Sequence, residues 1–478
     1  MAPSTLLAIG AQLRQARQRL MSDALSDLIG LFGGCVPEEF RPDAKSPPGT
    51  RRRFLTPAVT FWAFLSQVLT PAQPCREIVR KLVVFSALFH RKKRSANTSA
   101  YCQARKKLPL ESLPNTSQHI AATLDANVKP AALWQGRRVG VVDGSTLSMP
   151  DTAANQKAYP QPKGQKPGCG FPVMKIVGLF SLATGALHDI ACGTLHIHER
   201  LLFHQLWDRL AQLYDLILGD RGFGAFVDQY LLKQRGVDSV FRQHQKRRCD
   251  FRKGRRLGKD DHLVVWRNPP QKPAWVPLDI WMTIPDEWIV REIRFHIPVK
   301  GFRTQTIVCV TTLLDPNAYP ASAIAELYFW RWRVELFFRD IKITLGMDVL
   351  RCRTPDLIHR ELWMHLVAYN LIRTLIYEAA CLHRIQVFRI SFKGSVDTVR
   401  QWAPVMATSQ RAPREYARII RLLLHCLARD LVPERPNRSE PRARKRRPKN
   451  YQLLTKPRHL MGNLPHRNKP SKTARKHA

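Results

Sequence analysis

The sequence predicts an α/β protein with a sheet-based core, a helical region before it and a basic tail after it. Three observations carry this. Apolar positions recur at helical spacing up to about residue 125. From about residue 135, short apolar runs ending in an acid replace them. After Pro320 the helical spacing returns. With 478 residues the chain has room for several domains with sizeable cores.

In chain order, apolar stripes run from Leu6 to Met21, Phe54 to Leu69 and Cys75 to Phe89, with Pro71 and Pro74 parting the last two. Thr98 to Leu108 (TSAYCQARKKL) opens on a Thr or Ser suited to an N-cap and carries Arg105, Lys106 and Lys107. A helix lying on a polyanion and a solvated helix face both remain open there. RRVGVVDGS (137–145) suits a buried strand, and Pro150 to Gly170 reads as a loop. Met174 to Cys192 holds two apolar runs around Ala183-Thr184-Gly185, a hairpin signal. Arg200 to Tyr214 has helical spacing, LILGDRGF (216–223) is again a strand ending in an acid, Ala225 to Arg235 reads as helix and DSVFRQ (238–243) as strand. Strand, strand, strand, helix, strand, helix is the order of a ribonuclease-H-like core.

Residues 244–302 interrupt that order. They open on HQKRRCDFRKGRR, alternate apolar and polar residues between Pro and Gly breaks, and contain Trp266, Trp275, Trp281 and Trp288, so a β-rich insertion is expected. TQTIVCVTTLL (304–314) reads as a return strand, followed by a helix through about Leu345 and a second long helix over Pro355 to His383. The expected parts are a helical region at 1–125, the core at 126–243 and 303–400 around the insertion, a helical segment at 401–430, and a tail at 431–478. That tail is rich in Pro, Arg, Lys and Asn, includes RARKRRPK (442–449), and is expected to be disordered when free.

Lys and Arg number 77 against 37 acids, a net charge of +40. Such an excess favours a polyanion, and nucleic acid above an anionic membrane surface or the ribosome. No run of 18 apolar residues appears and no secretory signal is visible, so no membrane partner is expected. None of the ten cysteines forms a CxxC pair, which argues against a zinc finger or a dense disulfide framework and for reduced thiols in a cytoplasm.

The strongest chemical signal lies near 328–345. Tyr328, Arg331, Glu335 and Lys342 stand at offsets that, at about 100° per residue, fall within an arc of about 60° over about 21 Å of helix. A surface salt-bridge ladder would explain Arg331 and Glu335 alone, since they are an i,i+4 pair. Two further acids, Asp143 and Asp220, each end an apolar strand. Three such carboxylates suit Mg²⁺, or Mn²⁺ in its place, because these hard cations take oxygen ligands. Two ions about 4 Å apart activate an attacking oxygen and stabilise a leaving one in phosphodiester displacement. Leu195 to Glu199 (LHIHE) is a weaker candidate and reads mainly as a polar turn.

The spacing Y-x2-R-x3-E-x6-K at 328–342, with VVDGS (141–145) and LGDRGF (218–223), resembles the insertion-sequence-four family of bacterial DDE transposases. The resemblance also takes in YCQARKKL (101–108) and PDTAANQKAYPQP (150–162), and so covers most of the chain. It implies a split ribonuclease-H-like catalytic domain behind an N-terminal reader of DNA ends. It implies Asp143, Asp220 and Glu335 as catalytic residues holding two Mg²⁺ ions, and Tyr328, Arg331 and Lys342 as DNA-phosphate contacts. Arg105 and Lys106 are further DNA-contact candidates. The implied partners are double-stranded DNA, both transposon ends and target, and a second copy of the chain on that DNA, in a bacterial cytoplasm at the nucleoid. One departure stands out: relatives carry a base-holding Trp on the strand before the Glu helix, and Ile307 to Val310 has none; substitution by Trp281 or Trp288 and a core role for both remain equally open. A metal-dependent nuclease that does not join strands, or a transposase-derived DNA binder, remain the alternatives.

Overall fold

The computed structural model describes residues 26–40, 54–70, 73–87, 95–296, 306–409, 413–433, 454–457 and 460–461. The stripe from Leu6 to Met21 and the run at 442–449 lie outside them.

The chain forms a mixed α/β structure around one nine-stranded sheet of order β3-β2-β1-β4-β5-β9-β8-β7-β6. The strands are β1 Val139–Ser148, β2 Val173–Ser181, β3 Leu187–Thr194, β4 Leu216–Gly219, β5 Asp238–Arg242, β6 Arg255–Gly258, β7 Asp261–Arg267, β8 Glu287–His296 and β9 Thr306–Thr311. β1 runs antiparallel to β2 and β2 to β3, whereas β1, β4 and β5 run parallel. The β2–β3 turn depends on Gly185, whose φ of 74° lies in the left-handed region that glycine enters at little cost. Residues 244–296 do form strands, but not a separate sheet. β9 pairs with β5 and β8 with β9, so the insertion extends the central sheet at its edge.

The helices are α1 Ser26–Phe32, α2 Pro57–Leu69, α3 Cys75–Phe85, α4 Ser99–Lys107, α5 Ser112–Ala126, α6 Ala153–Ala158, α7 Glu199–His204, α8 Trp207–Leu213, α9 Phe226–Gln234, α10 Leu278–Met282, α11 Ala321–Trp330, α12 Arg333–Arg339, α13 Pro355–His383, α14 Phe392–Ser409 and α15 Pro413–Arg429. The helix expected over 200–214 is two helices, α7 and α8, and the loop expected over 150–170 contains α6, capped where the Thr152 side chain accepts the Asn155 N–H.

Both sheet faces are covered, which is why the central strands read as continuous apolar runs rather than alternating ones. Val141, Leu218 and Val240 join one cluster with Phe337, Phe338 and Tyr369. Their neighbours Val142, Ile217 and Phe241 join the other with Phe203, Phe223 and Phe226. The first cluster also holds Phe61, Trp62 and Tyr101 of the N-terminal helices, so these pack with α13 into one core. No helix among the described residues is long and apolar enough to cross a membrane.

Candidate active site

The parallel pairing of β1 with β4 aligns Val139 with Leu216 and Val141 with Leu218. Carrying that register two residues on sets Asp143 beside Asp220. Residues two apart share a strand face, so both acids belong to the face that Val141 and Leu218 bury under α12. Asp143 thus stands in the middle of β1, where its pairing with β4 stops, and not at the strand end expected; the two backbones are closely packed there. A Cβ on Gly219 would stand 2.8 Å from Phe241 and 3.0 Å from Val142, and one on Gly144 would stand 2.7 Å from the Glu199 carboxylate carbon.

The segment carrying Glu335 is not one regular helix. α11 stops at Trp330, and Arg331 and Glu335 donate their N–H groups only three residues back, to Tyr328 and Trp332 at 3.1 and 3.2 Å. Beyond α12, Asp340–Thr344 widens into a π-helical turn. The expected straight stripe is therefore overwound in the middle and underwound at its end, a departure found often at functional sites.

This path ties the segment to β1 and to the end of β4. The Tyr328 hydroxyl donates to the Gly219 carbonyl at 3.3 Å, one residue before Asp220. Arg331 places Nη1 3.7 Å from Asp143 Oδ2 and Nη2 3.6 Å from Glu335 Oε1. Lys342 Nζ donates to Ser145 Oγ and the Thr146 carbonyl at 3.1 and 2.8 Å and pairs with Asp348 at 3.0 Å. Asp143 Oδ1 also accepts the Gly144 N–H at 2.8 Å.

Electrostatics follow from this packing. Burial pushes the Asp143 carboxyl up to about 6 against the pull of Arg331 and the Gly144 N–H, with Asp220 and Glu335 adding to the rise. Burial opposes the Arg331 charge, yet Tyr328, Asp143, Asp220 and Glu335 together hold its guanidinium above its ordinary value. Asp220 Oδ1 is buried without a hydrogen-bond partner among the described residues. An orphaned carboxylate oxygen beside a second, desolvated carboxylate is what a hard cation would satisfy. Among the described residues no three His, Cys, Asp or Glu side chains stand in metal-holding proximity, and Arg331 links Asp143 to Glu335 instead.

The remaining candidates are placed differently. Tyr328 is fully buried and Arg331 nearly so, while the Glu335 side chain is 59% exposed. Arg105, expected on a DNA-facing surface, is turned inward at 6% exposure, against the rings of Phe64 and Tyr101. Its neighbours Lys106 and Lys107 are exposed. His198 serves as the N-cap of α7, accepting the Arg200 N–H, which matches the polar-turn reading. Neither insertion tryptophan stands free: Trp288 packs edge-on against Phe226 and Tyr230, and Trp281 packs against the same core. Sequence reasoning passed over Trp332, whose ring lies 5.4 Å from the Arg331 guanidinium and 6.1 Å from the Tyr328 ring. Its place beside Arg331 in sequence was the available signal.

Residues 134–371 match the family model described as the transposase DDE domain, a span that includes Asp143, Asp220 and Glu335. The chain is 27% identical over 447 residues to the transposase InsG of insertion sequence element IS4 from Escherichia coli K12, covering 91% of this chain and 96% of that one. The chain belongs to the DDE transposases of the insertion-sequence-four family. A second relative, the transposase for insertion sequence element IS421 from Escherichia coli, is 24% identical over 284 residues, which is 54% of this chain and 70% of that one. The piggyBac transposase, solved by cryo-EM in a synaptic complex with hairpin DNA, gives a TM-score of 0.40 at 11% identity over 89% of this chain and 87% of that one, too distant to argue from. As a DDE transposase of an insertion sequence, this chain is a DNA-cutting and DNA-transferring enzyme.

Proposed function

We propose that this transposase cleaves the phosphodiester at each transposon end and joins the freed 3′-hydroxyl to target DNA, with Asp143, Asp220 and Glu335 as its metal-holding carboxylates. The observation that carries the proposal is the shared guanidinium: Arg331 reaches Asp143 on β1 and Glu335 on α12, while Tyr328 holds the chain just before Asp220. The strand order β3-β2-β1-β4-β5, with parallel β1, β4 and β5, supports a ribonuclease-H-like core at 126–243 and 303–400. Residues 244–302 are its insertion, 1–125 its end-reading helices, 401–430 a closing helical segment and 431–478 a basic DNA tail.

Two Mg²⁺ ions, or Mn²⁺ in their place, would supply activation of the attacking oxygen and charge stabilisation at the leaving oxygen. The chain's own groups do the rest. Asp143 presents its carboxylate from the middle of β1, not from the strand end expected, because β1 runs on to Ser148 paired with β2, and Asp220 presents its own just past the end of β4. Arg331 keeps its charge at every working pH and offers a planar fork to a phosphate oxygen, and Lys342 adds a second charge at the end of β1. Water is the first nucleophile and frees a 3′-hydroxyl; that hydroxyl then attacks target DNA in the same site. No covalent protein–DNA bond forms. The active species is a dimer on DNA, each subunit serving one end.

A strand-transfer assay tests the joining step. Purified protein, Mg²⁺ and transposon-end duplexes with a pre-cut 3′-hydroxyl should yield joined target products. Products of hydrolysis alone would reduce the enzyme to a nuclease.

A further inference from the structure

Away from the acids, the N-terminal helices bring two thiols to one buried guanidinium. Cys75 is the first residue of α3, preceded by Pro74, which provides no side-chain cap. Its sulfur therefore meets the uncapped N-terminus of an eleven-residue helix, a setting that favours thiolate. Arg105 of α4 donates Nη2 to Cys75 Sγ at 3.4 Å and to Cys102 Sγ at 3.8 Å. Gln67 of α2 donates Nε2 to Cys75 Sγ at 3.6 Å and accepts the Tyr101 hydroxyl at 2.9 Å. The two thiols also hydrogen-bond each other.

These contacts divide the pair. The hydrogen bond from Cys102, then Arg105 and Gln67, hold the Cys75 thiol well below the ordinary thiol range despite burial. The same bond and burial push Cys102 up. Cys352, just before α13, and Glu361, on it, line the same cavity as Cys75 and Arg105, and Glu361 is already satisfied by the N–H groups of Arg351 and Cys352. Both cysteines are partly exposed, and Cys75 lines a cavity of about 280 Å³ that admits a small reagent. Inside it, Arg105 Nε and His365 Nδ1 lack partners among the described residues. A metal does not suit the cluster, because a guanidinium already stands against both sulfurs and no metal-holding group is present among the described residues.

We propose that Cys75 and Cys102 are a peroxide-sensitive dithiol, Cys75 being the attacking sulfur and Cys102 the resolving one. The Cys75 thiolate attacks a peroxide oxygen, the O–O bond breaks, and a sulfenic acid and hydroxide form. Cys102 then attacks the sulfenic sulfur, the S–O bond breaks, and the hydroxyl leaves as water. Two thiols and one hydrogen peroxide give one disulfide and two waters, the sulfurs losing the two electrons that reduce the peroxide. A low-pKa thiolate beside a resolving thiol is the arrangement that reacts this way. The disulfide ties the start of α3 to α4 and removes the anion that faces Arg105.

The test uses reduced full-length protein and one equivalent of hydrogen peroxide, followed by alkylation and non-reducing peptide mapping. The expected product is a Cys75–Cys102 cross-linked peptide that dithiothreitol reverses. Cys102→Ser should stop at a sulfenic acid on Cys75 that dimedone captures. Cys75→Ser should abolish fast peroxide consumption, and Arg105→Gln should slow iodoacetamide labelling of Cys75 at pH 6 on the order of tenfold. Circular dichroism checks that each variant is folded. Oxidation spread evenly over the ten cysteines would overturn the proposal. So would a Cys75 labelling rate that rises with pH only above 8, as for an ordinary thiol.

Discussion

Arg331 sets the character of the candidate site, because one guanidinium meets both Asp143 and Glu335 and stands in for positive charge that the carboxylates need. Asp143 gives a pH signature. Its folded carboxyl sits near 6, above the ordinary 3.8, so between those values the folded protein binds more protons than the unfolded chain. This group's contribution to stability therefore falls as pH rises through that window and is constant above it. A divalent cation must displace the same proton, so Mg²⁺ affinity measured by calorimetry should drop as pH falls below about 6. A pH-independent affinity from 5 to 8 would place the ion elsewhere. Tyr328 makes a second case. Its buried hydroxyl positions the Gly219 carbonyl, so Tyr328→Phe should weaken Mg²⁺ binding by about 10- to 100-fold while DNA-end affinity holds. Loss of end affinity with metal binding intact would instead make the phenol a DNA contact.

At the scale of elements, the end of β4 and the middle of β1 are packed too tightly for added bulk. Gly219→Ala forces a methyl against Phe241 and Val142 and should cost about 1–3 kcal/mol, read as a lowered midpoint in urea. An unchanged midpoint would mean the strands have slack. Much of this architecture was legible in sequence. The apolar run before Asp220 is β4, and the one before Asp143 is the first half of β1, which runs on past the acid to Ser148 because β2 pairs with it that far. The long helix runs from Pro355 to His383 as read, because Pro suits its first turn and the chain turns left-handed at Arg384. The overwound and underwound turns around Glu335 were not legible, since helical periodicity assumes a constant 100° per residue. They arise from tertiary ties of Tyr328 and Lys342 to the sheet. The inward turn of Arg105 was hidden for a similar reason: a basic residue reads as surface unless its partners are known, and here Gln67, Cys75 and the Phe64 ring come from other helices, with only the Tyr101 ring one turn back on its own. The insertion was read from its alternation, but its fusion to the main sheet through β9 depends on long-range pairing that no local pattern encodes.

For the whole molecule, a net charge of +40 over 478 residues implies DNA binding that weakens steeply with salt, because each neutralised phosphate releases counterions. Neutralising the basic residues between Arg442 and Lys449 should lower affinity equally for all sequences and flatten the log–log salt slope by about one for each phosphate that the tail no longer neutralises. An unchanged slope would make the tail a bystander. That catalysis rests on three carboxylates, from β1, the end of β4 and α12, is tested most directly on labelled transposon-end duplex in Mg²⁺. Wild type, Asp143→Ala, Asp220→Ala and Glu335→Ala are each incubated with it, and binding and cleavage are resolved on parallel gels. All three variants should bind the ends as wild type does and cleave only at background; cleavage surviving in any folded variant would contradict the three-carboxylate site.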